Sequence, residues 1–298
     1  NLLALPGVAA ALRSRGVRCT YFVTQTVAEC PRAADALREV FAAGGAELGA
    51  HLHPWNTRPF DTSAADKPPG HETMLSRYSE PEQRAKLATL TETLESTFGT
   101  RPTAFRAGRW ALGPETVRAL ESLRYEVDSS VMPGVSWAKE GGPSYYGAER
   151  EVHRLSADAI GRPGRGPMVE VPVSVGFTRR GMKLWHALQS RLVGLPLAAH
   201  PSGLLHTFGV LRKVQLSPEP CDAGDLAAAT AALIGDGAQH LHVYWHSPSH
   251  TPGITPFVKR PHDLDSLWRK LDAILDTAHR HANVRNGTVS EIARALAG

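Results

Sequence analysis

Short β-prone runs separated by helix-like segments recur along most of this 298-residue chain, and that alternation constrains its fold more than any other feature. Residues 17–24 (VRCTYFVT) are rich in β-branched and aromatic side chains and follow an Ala/Leu segment, 5–15, that ends at Gly16. Residues 31–43 begin on Pro31 and stop at Gly44-Gly45, the punctuation of a helix. The same reading predicts helices over 81–98, with Leu87, Leu90 and Leu94 on one stripe, and over 114–123, 223–234, 262–281 and 288–296. Strands are predicted over 46–53, 103–107, 125–131, 168–175 and 240–246, making six with 17–24. Strands separated by helices imply an α/β fold with a parallel sheet or barrel. In parallel barrels the chemistry collects on the loops after the strands. Residues 133–167, rich in Gly, Pro and Tyr, and residues 176–219 read as loops over that face.

Composition narrows the function classes. A net charge of +4, from 33 Lys and Arg against 29 Asp and Glu, is too dilute for a nucleic-acid surface. The apolar runs are too short to span a bilayer. Cys19, Cys30 and Cys221 form no disulfide framework or zinc-finger spacing, which favours a reducing, cytoplasmic compartment. No nucleophile elbow, Walker loop or Rossmann fingerprint is present. Histidine stands out: of 14, His51 and His53 form one group and His240, His242, His246 and His250 another.

On a strand, His51 and His53 point to one side with Cα atoms about 6–7 Å apart, close enough for both imidazoles to reach one divalent ion. Two histidines under-coordinate a metal, so on spacing alone an accidental pair stays open. Arg106, ending an apolar run, is placed to hold a carboxylate through a bidentate pair, or to cap a loop at the surface. Asp128 ends a strand, where it can orient an Arg or His or cap the following turn. His246, closing residues 240–246, is the candidate general acid, because imidazole titrates near working pH. His240 and His242 read as structural and His250 as a loop residue. Trp55, Trp110 and Tyr145 offer stacking faces to a sugar or pack in the interior, and Arg109 beside Trp110 is grouped with them as substrate-facing.

TYFV (20–23), ELGAHLHPW (47–55), FRAGRW (105–110), YEVDSSV (125–131), VEVPVS (169–174) and YWHSPSHTPGITPFV (244–258) occur in an order that resembles the polysaccharide deacetylase (NodB-like) superfamily, in its bacterial branch with HLHPW and RAGRW. The resemblance implies a distorted (β/α)7 barrel in one domain over residues 1–298. It implies a hydrolase that removes acetyl groups from N-acetylated carbohydrate by way of a divalent metal, zinc. Carried over by position, His51 is a metal ligand, Arg106 an orienting residue and His246 the acid. Trp55 stands where the family has its second metal histidine, and His53 is the expected substitute. The family's paired acidic residues, a base and a third ligand, would lie before Asn1, so the first strand is expected to be missing. Two other readings stay open: a glycan-binding barrel without chemistry, and a metal hydrolase of another amide, such as a cyclic ureide.

Overall fold

The computed structural model describes residues 1–60, 73–192 and 212–297. The chain divides into two compact units where one domain is expected. The larger takes Leu2–Val131, Val135–Pro172 and Asn286–Gly298; the smaller takes Asn1, Met132–Gly134 and Val173–Arg285.

The larger unit runs α1 (Leu5–Arg13), β1 (Cys19–Val23), α2 (Gln25–Ala28), α3 (Pro31–Ala42), β2 (Ala46–Leu52), α4 (Glu80–Phe98), β3 (Ala104–Ala107), α5 (Pro114–Ser122), β4 (Val127–Asp128), β5 (His153–Arg154) and β6 (Val169–Glu170), with a C-terminal helix at Val289–Leu296. Its sheet has the order β1-β2-β3-β4-β6-β5. Every pair is parallel except β5–β6, an antiparallel edge inside the segment read as loop. The alternation thus produces the expected parallel α/β architecture.

The helix signals act as their chemistry requires. Ser79 and Glu82 form a capping box at the start of α4, and Gly99 closes it at φ 68°, a left-handed conformation that suits glycine. Between them Leu87, Leu90 and Leu94 are completely buried, the spacing that puts one face of a helix against a sheet. β4 and β6 are shorter than the predicted 125–131 and 168–175. Beyond Asp128, side-chain bonds of Ser129 and Ser130 take over from the ladder.

The smaller unit holds an antiparallel pair, β7 (Val175–Phe177) and β8 (Lys213–Gln215), with α6 (Met182–Leu192), α7 (Ala223–Gly235) and α8 (Pro261–His281). Phe177, Met182, Val214, Leu216, Leu226, Leu233 and Ile274 make its core. β7, α6 and β8 lie in a stretch expected to be loop, of which residues 193–211 fall outside the described residues. The segment expected to be a strand over 240–246 belongs to neither sheet, though the Ser174 N–H donates to the His242 carbonyl at 3.3 Å and the Tyr244 N–H to the Leu216 carbonyl at 3.1 Å. Its His242 N–H donates to the Ser174 hydroxyl at 2.8 Å, so a side chain replaces the backbone acceptor that a strand would use.

Candidate active site at the strand ends

In the larger unit the sheet brings His51 and Arg106 together as register partners across β2 and β3. His51 Nδ1 donates to the Arg106 carbonyl oxygen at 2.8 Å. A carbonyl only accepts, so the bond fixes the proton on Nδ1 and the ring's lone pair on Nε2. The His53 ring lies edge-on to His51, centroids 4.6 Å apart, and packs against Trp55 at 4.3 Å. Gly108 makes room for it: a Cβ there would stand 2.3 Å from His53 Nδ1.

The chain after His53 turns through Pro54–Asn56 and is held from beneath by α4. Lys86, 2% exposed, donates from Nζ to the carbonyls of Pro54 at 3.1 Å, Thr57 at 2.9 Å and Pro59 at 2.5 Å. A buried ammonium needs such acceptors. They pin the loop that presents Trp55, itself exposed.

The Arg106 guanidinium is engaged by Ser129. Its Nε donates to the Ser129 carbonyl at 2.8 Å and its Nη2 to the Ser129 hydroxyl at 2.9 Å. The guanidinium lies over the Phe22 ring at 4.4 Å and the Trp110 ring at 5.0 Å. Arg109 and Trp110 both have positive φ, 53° and 59°, uncommon for residues with side chains. Arg109 is exposed. Tyr145 is 2% exposed, and its hydroxyl donates to the Trp110 carbonyl at 2.5 Å; it braces the turn and offers no open stacking face. Asp128 is completely buried, and its carboxylate accepts from the Ser130 N–H and hydroxyl, each at 2.8 Å. It organises the strand end and reaches no surface.

In the smaller unit, His246 Nδ1 donates to Glu219 Oε2 at 2.8 Å, and the His246 N–H to Oε1 at 3.1 Å. The imidazole is 66% exposed and the carboxylate 3%. Burial alone would raise the Glu219 carboxyl; the bonds from His246 and Ser249 outweigh it and hold it below its ordinary value. His250 is buried, accepts from the Trp245 indole at 2.7 Å, and is pushed down to about 4 by burial. That makes it an interior residue, where a loop histidine was expected.

A divalent metal asks more of the chain than His51 and His53. Imidazole nitrogens suit zinc, and the His51 tautomer presents one. Among the described residues, however, no group of three or more His, Cys, Asp or Glu comes together to hold an ion. His51 and His53 are the described residues here that could hold one, and two donors do not complete a ligand set.

The comparisons with known proteins bear on the His51 and Arg106 cluster. Residues 4–127 match the family described as Polysaccharide deacetylase. The resemblance read from the motifs is borne out at the level of this family. The deacetylase match runs from the first helices to Val127, so it takes in His51, His53, Trp55, Arg106, Arg109 and Trp110, stops one residue before Asp128, and does not include Tyr145 or His246. A crystal structure from Mycobacterium smegmatis, described as that of a putative polysaccharide deacetylase, shares 17% identity with this chain, covering 99% of it and 77% of its own length at a TM-score of 0.52, a likeness of fold. PuuE allantoinase shares 16% identity over 96% of this chain and 70% of its own, at a TM-score of 0.48. A search of curated proteins finds no match.

Glu219, Glu170, Lys86 and Ser129 are functional candidates that the sequence reading missed. Glu170 carried a signal: an acidic residue inside the apolar run VEVPV, where a buried charge needs a partner.

Proposed function

We propose that the protein hydrolyses the amide bond of an N-acetylated carbohydrate and releases acetate. The reading rests on the family match over residues 4–127, and the observation that carries it is the pairing of His51 with Arg106 at adjacent strand ends. His51 and His53 are the residues that would bind a divalent metal, zinc, whose contribution would be Lewis-acid polarisation of the acetyl carbonyl. Arg106, clamped by Ser129 and stacked between Phe22 and Trp110, holds a fixed positive charge beside them. In this reading Trp55 and Trp110 face the sugar.

His246 donates a proton to the departing amine, without which an amide is a poor leaving group. Glu219 holds Nδ1 and so directs the transferable proton to Nε2, on an exposed ring.

The test is acetate release from N-acetylated oligosaccharides, with metal analysis of the same samples. His246→Ala should abolish turnover and keep the metal, and His51→Ala should lose both. Sugar binding without acetate release by metal-loaded wild type would favour a glycan-binding role and overturn this one.

A further inference from the structure

β4 and β6 set Asp128 and Glu170 opposite each other as partners in a parallel ladder, where neighbouring strands lie about 4.8 Å apart. Both residues are 0% exposed. Their hydrogen bonding is unequal. Asp128 receives two donors, the N–H and the hydroxyl of Ser130. Glu170 receives one, the Val131 N–H on Oε1 at 3.1 Å. Glu170 Oε2 is buried and receives no donor among the described residues.

Two adjacent, fully buried carboxylates cannot both ionise, because each would be desolvated and repelled by the other. The groups facing them allow one charge. Arg106 on β3 favours a negative charge at both positions. Tyr145 has its hydroxyl committed to the Trp110 carbonyl. His153 on β5, the register partner of Glu170, is tied through Nδ1 to the Glu151 carbonyl. Asp128, with two donors to the one of Glu170, takes the charge.

We propose that Glu170 is a positioning residue that holds one proton on Oε2 and donates it to Asp128, so that the pair carries a single negative charge. The proton completes the bonding of the one orphan oxygen and lets Asp128 keep its grip on Ser130. Ser130 in turn accepts from the Ala107 N–H at 2.9 Å, while Ser129 brackets Arg106. The pair thus fixes the strand end on which Arg106 rests, whatever the substrate. In agreement, burial pushes both carboxyls up, Glu170 well above its ordinary value.

Infrared spectroscopy tests this on the intact protein. Wild type at pH 7 should show the C=O stretch of a buried protonated carboxyl, and Glu170→Gln should lack it. No such band in wild type, or one unchanged in Glu170→Gln, would overturn the proposal. If Glu170→Gln does not fold, wild type labelled with 13C at the glutamate carboxyl serves: the band should move with the label, and an unshifted band overturns the proposal equally. The pH dependence of stability gives an independent reading. The folded-state proton affinity of Glu170 is raised, so wild type should lose stability as pH rises above about 4.3, the unfolded value. Glu170→Gln should lose that part of the slope, and an unaltered slope would count against the shared proton.

Discussion

His51 Nδ1 lies 2.8 Å from the carbonyl oxygen of Arg106, its register partner on the neighbouring strand. One backbone oxygen therefore orients the imidazole, while the side chain of the same arginine reaches the other way, to Ser129. The two functions of Arg106 separate on mutation. Arg106→Lys keeps the carbonyl and the His51 orientation but loses the planar fork that spans the Ser129 carbonyl and hydroxyl. It should cost about 1–3 kcal/mol in a denaturant melt, with bound metal close to the wild-type amount. Loss of metal equal to that of His51→Ala would show that the guanidinium, and not the backbone, sets the histidine.

Glu219 and His246 predict an acid-side signature. The Glu219 carboxyl is held below its ordinary value, so its contribution is present above the unfolded value and is lost as pH falls through the folded one. Glu219→Gln keeps the shape and removes the charge. The variant should be less stable than wild type at neutral pH by about 1–3 kcal/mol, and the gap should close below about pH 4. Thermal melts of both proteins across that range measure it; a gap independent of pH would mean that the charge contributes nothing.

Lys86 makes its prediction through burial. Its ammonium is the shared donor to three carbonyls of the loop that follows His53. Lys86→Met preserves the aliphatic stem and strands those acceptors, which should cost about 2–4 kcal/mol. Because the loop carries Trp55, its indole fluorescence should report a changed environment in the folded variant. A melt within about 0.5 kcal/mol of wild type would place the loop's support elsewhere.

The parallel part of the fold was readable because it is written in local periodicity. The run VRCTYFVT and the stripe Leu87, Leu90, Leu94 each declare a face without reference to distant residues. Residues 240–246 misled for the same reason: alternation predicts a strand, but pairing depends on distant chain, and here His242 N–H meets the Ser174 hydroxyl while only single backbone bonds reach Ser174 and Leu216. The histidines at strand ends were visible as residue types, whereas their supports were not. Glu219 is 27 residues from His246, and Glu170 is 42 from Asp128. Such partnerships arise from topology, and a single chain read locally carries no mark of them beyond an acidic residue in an apolar run.

Gly108 offers the sharpest steric test of the His53 position. A Cβ at this residue would lie 2.3 Å from His53 Nδ1, 2.6 Å from His53 Cε1 and 2.6 Å from the Leu52 carbonyl oxygen. The imidazole can turn aside, but the carbonyl belongs to β2 and cannot retreat without disturbing the strand that carries His51. Gly108→Ala should therefore destabilise the protein by about 1–3 kcal/mol and displace His53 even where the fold survives. Metal binding and stability should fall together, read by metal analysis and by a melt on the same preparation. A Gly108→Ala protein with wild-type stability and full metal content would show that His53 does not need its present place, and would remove it from the candidate ligand set.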